Sequence, residues 1–413
     1  MAQLLISRGD GGWGIVGGPK DIGSDRENED GEQTMAMSDN KMKQYLPILD
    51  GVRAMAALMV MWFHYFGALG HLGGGRIDAL LHRFNTVGQT GVDLFFVLSG
   101  FLITRILLAT KEQPGFFRNF YARRSLRILP LYYAFLCLYL FVDPLLSGKS
   151  LPVLSSHWWW WAYLQNVPVT FGIPSTGPMH YWSLAVEEHF YLFWPLLVYF
   201  SSRRALVGYC LGLIAIALGL RAALWRAGID PFYFTFTRLD ALSLGALLAL
   251  VEPEILSRPA FMHRRFWWGL LALGVPLSLV YVSMSGSRAA WLQAFKFLLV
   301  GLCYFSFLGL VITARQRSLL TRVFASRPMR FLGGISYGLY VYHGACFEWY
   351  DRLVPNRHPI LMLPLAFGCS ILVAYLSFRF IETPFLGMKR HFSGGTKTTA
   401  AKPEPVLAGT SNG

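Results

Sequence analysis

The chain has 413 residues, 54% of them hydrophobic and only 15% charged, with 37 Lys and Arg against 23 Asp and Glu. A soluble domain carries about a quarter charged residues, and the mean hydropathy here is +0.42, so an ordinary soluble domain is excluded. Stretches such as residues 205–220 are apolar all round where barrel strands would alternate, so the composition predicts an all-α integral membrane protein. The net charge of +14 lies in short pieces between apolar segments, where orientation signals belong, and nucleic acid is not an expected partner.

In chain order, residues 1–47 are rich in Gly and acids, lack the apolar core of a signal peptide, and read as a disordered cytoplasmic arm. The membrane domain is expected over 48–386, with ten helical spans near 52–70, 89–109, 129–146, 181–201, 205–225, 237–251, 266–284, 291–313, 331–350 and 360–383. Residues 387–413 form a polar tail, expected to be disordered and cytoplasmic. The run His157-Trp158-Trp159-Trp160-Trp161 is an eleventh candidate. Ten spans gather the lysines and arginines into the loops of one side, whereas eleven spread them over both. Ten spans with both termini in the cytoplasm are therefore expected, in the plasma (inner) membrane, with the tryptophan run as an aromatic anchor or re-entrant piece. All five cysteines lie in apolar segments without CxxC spacing, so neither a disulfide nor a metal site is expected.

The ionisable residues sort by depth on this topology. Arg53, Arg105, Arg379 and the segment Tyr121-Ala-Arg-Arg-Ser-Leu-Arg127 make the inner mouth cationic. His64, Asp93, Glu187, Glu188, Arg221, Arg238, Asp240, Lys296 and His343 lie from the middle outward and predict a polar cavity. Two charged glutamates at mid-depth would cost about 5–7 kcal/mol, and the nine Leu, Val and Phe of that span return only about 3–5. At least one glutamate must be paired, protonated or hydrated, and Arg221, Arg238, Lys296 and His64 are the expected partners. A structural ion pair locking two helices is the alternative use of any one of these charges. Arg53 and His64 stand eleven positions apart, about three turns and about 16 Å of helix, so both face one side of the first span.

Several segments together resemble the acyltransferase-3 family of multi-span membrane O-acyltransferases. They are Leu49-Asp-Gly-Val-Arg-Ala with His64, Gly91-Val-Asp-Leu-Phe-Phe-Val-Leu-Ser-Gly-Phe-Leu102, Arg124-Ser-Leu-Arg127, Trp182-Ser-Leu-Ala-Val-Glu-Glu-His-Phe-Tyr191, Ile335-Ser-Tyr-Gly-Leu-Tyr-Val-Tyr-His343 and Ile381-Glu-Thr-Pro384. The resemblance implies transfer of an acyl group, often acetyl, from acyl-coenzyme A to a hydroxyl of a sugar, glycolipid, exported polysaccharide or secondary metabolite. By motif position it implies Arg53 and His64 as the essential pair, Arg124 and Arg127 as functional arginines, and Glu187 or Glu188 as a site acid. The family often carries a fused periplasmic domain, whereas here a short polar tail follows the helices, so no second enzyme is expected.

Coenzyme A carries several phosphates, which the forked guanidinium of Arg suits better than Lys. Arg123, Arg124 and Arg127 are the expected donor-binding residues, and Asp93, Arg238, Asp240 and His343 further substrate-binding candidates. His64 is the candidate general base, with Glu187 or Glu188 orienting it or the acceptor; a covalent acyl-histidine step is the alternative. No permanently bound cofactor is expected. The competing function class is a transporter or flippase, against which stand the absence of an inverted repeat and of paired broken helices.

Overall fold

The computed structural model describes residues 46–68, 85–257, 260–283, 289–353 and 359–392. The sequence expectations for residues 1–45 and 393–413 lie outside the described residues. Among those described there is no strand, and the long helices are α1 (Ile48–Ala68), α2 (Gly91–Thr110), α3 (Phe116–Cys137), α4 (Trp182–Phe200) and α5 (Arg203–Arg226). They continue with α6 (Leu239–Ser257), α7 (Ala260–Ser283), α8 (Ala290–Ile312), α9 (Ser336–Leu353) and α10 (Pro359–Ser377). Each overlaps one of the apolar segments drawn from the sequence.

The largest departure is at α3, which begins at Phe116 rather than near 129. Gly115, at φ +73°, makes the left-handed turn that precedes it. No glycine or proline then interrupts the chain before Pro130, so the arginine-rich segment expected as a loop is helical. The tryptophan run forms a helix of 8 residues, Leu154–Trp161. At 1.5 Å per residue it reaches about 12 Å, too short for a hydrocarbon core of about 30 Å.

Among the described residues, five helical segments are long and apolar enough to cross a membrane: Asn85–Thr110, Phe116–Leu146, Arg203–Arg226, Trp291–Ile312 and Met362–Phe392. The other long helices carry more polar side chains, such as Glu187, Glu188 and His189 in α4. Leu192, Phe193, Leu196 and Phe200 of that same helix are exposed, an apolar stripe that leaves the helix interior face to its polar residues.

Two helices continue through widened π turns, and one cause serves both. The turns Leu138–Val142 and Phe378–Glu382 each sit just before an X-Pro pair, Asp143-Pro144 and Thr383-Pro384. A proline has no N–H to give and its ring displaces the carbonyl four residues earlier, here Leu140 and Phe380. The backbone widens instead of breaking. The Phe378 carbonyl accepts from both the Thr383 backbone N–H and the Thr383 hydroxyl, the latter at 2.7 Å, which ties the widened turn together.

At the centre α2 packs against α6 at backbone contact. A Cβ at Gly100 would lie 1.9 Å from the Leu242 carbonyl oxygen, and one at Gly245 1.9 Å from that of Val97. Small residues permit this approach, as in membrane helix pairs generally. Helix α1 lies beside α2 and against a short helix, Arg327–Gly334, while α9 packs on α10 and α1. That arrangement brings the polar faces of α1, α2, α3, α4 and α9 to a common interior.

Candidate active site

Five helices supply the first cavity: Arg53 from α1, Ser99 from α2, Arg124 and Arg127 from α3, Glu187, Glu188 and Tyr191 from α4, and Ser336, Tyr337 and Tyr340 from α9. Arg124 and Arg127 are three residues apart on α3 and so share a face. Arg53 is held by Asp50 one turn earlier, Nη1 to Oδ1 at 2.8 Å. The Arg124 guanidinium lies 3.9 Å above the Tyr191 ring centroid, a cation–π contact, and its Nε finds no hydrogen-bond acceptor. Ser99 donates to the Glu187 carboxylate, and Glu188 lines the same space.

A vestibule adjoins this cavity and shares Arg124 and Arg127 with it. Arg123, Lys389 and Arg390 complete its charged lining, Thr110, Gln113 and Asn119 add neutral polar groups, and no carboxylate is among the described lining residues. Five cationic side chains around one space suit a polyanion.

The second cavity holds His64 and His180, with Phe63, Trp182, Phe232 and Tyr233 among its aromatic walls. It touches the first along Val92 and Tyr340, which line both. The Tyr340 hydroxyl donates to the His180 carbonyl at 2.6 Å and is hydrogen-bonded to the Ser183 hydroxyl, so this shared wall is fixed. Vestibule, arginine cavity and histidine cavity therefore follow one another with common residues at each junction. The volumes, counting their open mouths, are about 950 Å³ for the arginine cavity and about 1240 Å³ for the histidine cavity.

The expected site residues fall into three groups. Arg53, Arg124, Arg127, Glu187 and Glu188 meet in the arginine cavity, and Arg123 joins them at the vestibule. His64 lines the histidine cavity, so the glutamates expected to orient it line a different space. The hydrogen-bond partners of the His64 ring are the Val60 carbonyl and His343, not a glutamate. His343 is fully buried behind His64 and lines none of these cavities.

Asp93, Arg238 and Asp240, expected to bind substrate, are engaged with other protein side chains. Arg238 meets Asp93 at 2.7 Å and Arg221 meets Asp240 at 2.8 Å, all four side chains at most 5% exposed. Arg238 also lies 4.1 Å from the Phe297 ring centroid. These pairs tie α2, α5 and α6 together, and none of the four lines the three cavities. This is the ion-pair alternative stated from the sequence.

Sequence reasoning missed His180, Tyr340 and Ser183. His180 sits in the turn Met179–Tyr181 just before α4. Because α4 was expected to start at the outer end, where His64 also lies, depth alone could have brought the two histidines together. Tyr340 and Ser183 carried no comparable signal.

Among known proteins, the chain is 31% identical to the peptidoglycan O-acetyltransferase of Listeria monocytogenes, over 85% of this chain and 58% of that one. It is 30% identical to a putative peptidoglycan O-acetyltransferase of Bacillus subtilis, over 83% of this chain and 55% of the relative. A putative O-acetyltransferase of Staphylococcus aureus is 28% identical, over 86% and 59% of the two chains. The chain thus spans under two thirds of the length of these relatives. No solved structure matches it. The model of the acyltransferase domain matches residues 46–379, a span that takes in α1 to α10 and every lining residue of both the arginine and the histidine cavity; the chain is a membrane protein of the acyltransferase-3 family.

Proposed function

We propose that the protein is a membrane O-acetyltransferase that takes its acyl group from acyl-coenzyme A and delivers it to a sugar hydroxyl. The observation that carries this reading is the junction of an arginine-lined cavity with a histidine cavity along Val92 and Tyr340. The relatives' names point to a peptidoglycan-type acceptor, either polymer or lipid-linked. On this reading all ten long helices cross the plasma membrane with both termini in the cytoplasm, as the placement of lysines and arginines favours. The coenzyme A is a substrate, and no resident cofactor is invoked.

The chemistry follows the order of the cavities. Arg123, Arg124 and Arg127 hold the donor phosphates at the vestibule by charge-assisted, forked contacts. The pantetheine arm lies in the arginine cavity, with the thioester at the Val92–Tyr340 boundary. The acceptor enters the histidine cavity, whose aromatic walls suit the apolar faces of a sugar ring. As the acceptor oxygen bonds to the thioester carbonyl carbon, its proton passes to His64; the C–S bond breaks and the imidazolium returns the proton to the leaving thiolate. The glutamates belong with the donor in this scheme, where Glu187, held by Ser99, balances the arginines.

The test is turnover of acetyl-coenzyme A by the purified full chain in vesicles, with a soluble peptidoglycan fragment as acceptor. Ester formation is expected, and His64→Ala should lower it by about 10²–10⁴-fold, the contribution of a general base. Wild-type protein that carries substrate across the bilayer but never cleaves the thioester would replace this reading with the transporter class.

A further inference from the structure

The buried environment of His64 holds a feature that neither the motifs nor the names assign. A general base of the imidazole type usually has its second nitrogen held by a carboxylate, which fixes tautomer and ring orientation. Here that nitrogen, His64 Nδ1, faces two acceptors: the Val60 carbonyl at 3.0 Å and Nε2 of His343 at 3.1 Å. Glu348 is the carboxylate among the lining residues of the histidine cavity, and it reaches Arg352 at 3.8 Å.

The hydrogen-bond roles follow from the carbonyls, which can only accept. His343 Nδ1 lies 3.0 Å from the Leu339 carbonyl, so that nitrogen carries the proton and Nε2 of a neutral His343 bears a lone pair. His64 Nδ1 must likewise carry its proton toward the Val60 carbonyl. The contact between the two rings is then a His64 Nδ1–H shared with the His343 lone pair, and His64 Nε2 is left bare for the cavity. His180 stands beside both rings, its centroid 4.9 Å from that of His343 and 6.1 Å from that of His64, with its own Nε2 bonded to the Val341 carbonyl at 3.2 Å. His343 is 0% exposed, so its ring has neither solvent nor space to turn.

We infer that His343 is a positioning residue for the base: a neutral imidazole, buried behind His64, that takes the place of the carboxylate and accepts from His64 Nδ1–H. This rests on the acyl-transfer reading for its consequence, though not for its geometry. When His64 gains a proton at Nε2, its Nδ1–H becomes a stronger donor, and the waiting lone pair of His343 stabilises that state without placing a second charge in the membrane. His343 touches no substrate and acts only through His64.

Two substitutions separate this role from mere packing. His343→Gln can place a carbonyl oxygen near the position of Nε2, whereas His343→Leu fills the space with no acceptor. His343→Leu should lower kcat by about 10–100-fold, the usual loss when an outer partner of a functional histidine is removed, with both KM values within about twofold. His343→Gln should recover most of that loss; a packing role would leave Gln, the poorer fit in an apolar site, no better than Leu. Independently of activity, ¹⁵N spectra of the histidine-labelled full chain, assigned with His64→Ala and His343→Leu, should show His64 protonated at Nδ1, bare at Nε2 and coupled through the hydrogen bond to His343 Nε2. A His64 protonated at Nε2, or equal kcat in the Leu variant and the wild type, overturns the inference. Intact coupling in a protein that transfers nothing would uphold the pairing and sink the acyl-transfer reading instead.

Discussion

Two groups of buried and half-buried charges in this protein have the same residue types and opposite surroundings. Asp93, Arg238, Arg221 and Asp240 are paired at 2.7 and 2.8 Å and sealed between α2, α5 and α6. Arg53, Arg124, Arg127, Glu187 and Glu188 line open space; Arg53 keeps its carboxylate partner Asp50, and Arg124 and Glu187 have the aromatic and hydroxyl partners Tyr191 and Ser99. A buried ion is tolerated in either way, by a partner or by room for water and ligand. Charge and depth therefore do not by themselves mark a functional residue; the space in front of it does.

The sharpest way to break this comparison is to exchange the expected phenotypes. His64→Ala should remove turnover while leaving the protein as stable as the wild type, because the ring is half-buried at a cavity wall. Asp240→Ala should do the reverse. It strands Arg221, which is 0% exposed, without its carboxylate, at a cost of about 3–5 kcal/mol. Thermal unfolding in detergent measures this, and the folded fraction should keep normal KM values. Replacing both partners, Arg221→Met with Asp240→Leu, should restore most of the stability, since a well-packed apolar pair replaces a buried ionic one at little cost. A stable Asp240→Ala protein with a raised acceptor KM would move Asp240 back into the site.

Much of the fold was legible because membrane helices announce themselves through long apolar runs, and α4 and α5 were placed within two residues of their ends. The start of α3 was not, because its first turns are rich in arginine and a hydropathy pattern cannot separate a charged helix from a charged loop. The insertion arithmetic for Glu187 and Glu188 demanded partners or hydration, yet two of the partners it named, Arg221 and Arg238, are taken by Asp240 and Asp93. Periodicity tells which face of a helix a side chain occupies, not which neighbour that face meets. Arg53 and His64 show the same limit: they share a face of α1, as the spacing required, but line successive cavities. His180 escaped notice because it sits in a turn, outside any periodic pattern.

A smaller effect sharpens the comparison from the open side. Arg124→Gln or Arg127→Gln should raise the KM for acyl-coenzyme A by about tenfold, the loss of one charge-assisted contact in a partly exposed site, and leave the acceptor KM unchanged. Lys should rescue only in part, because it restores charge without the fork. Full rescue by Lys would mean that these arginines act as summed charge and orient the chain in the membrane. Arg238→Gln serves as the control from the sealed group: it should lower stability without touching the donor KM.

The smallest expected effect lies at the boundary between the two cavities. Tyr340 contributes its ring to both walls and its hydroxyl to the His180 carbonyl at 2.6 Å. Tyr340→Phe keeps the ring and removes two hydrogen bonds, to the His180 carbonyl and the Ser183 hydroxyl, so stability should fall by about 1–2 kcal/mol and transfer should change by less than about tenfold. Tyr340→Ala removes the wall itself, joins the two spaces and admits water to the thioester, so it should raise hydrolysis of acyl-coenzyme A relative to ester formation. The ratio of the two products separates the wall from the hydroxyl, because a phenol that took part in the chemistry would make Phe as damaging as Ala. If both variants lose ester formation equally and neither gains hydrolysis, Tyr340 is not a partition between donor and acceptor, and the two cavities do not meet where the thioester reacts.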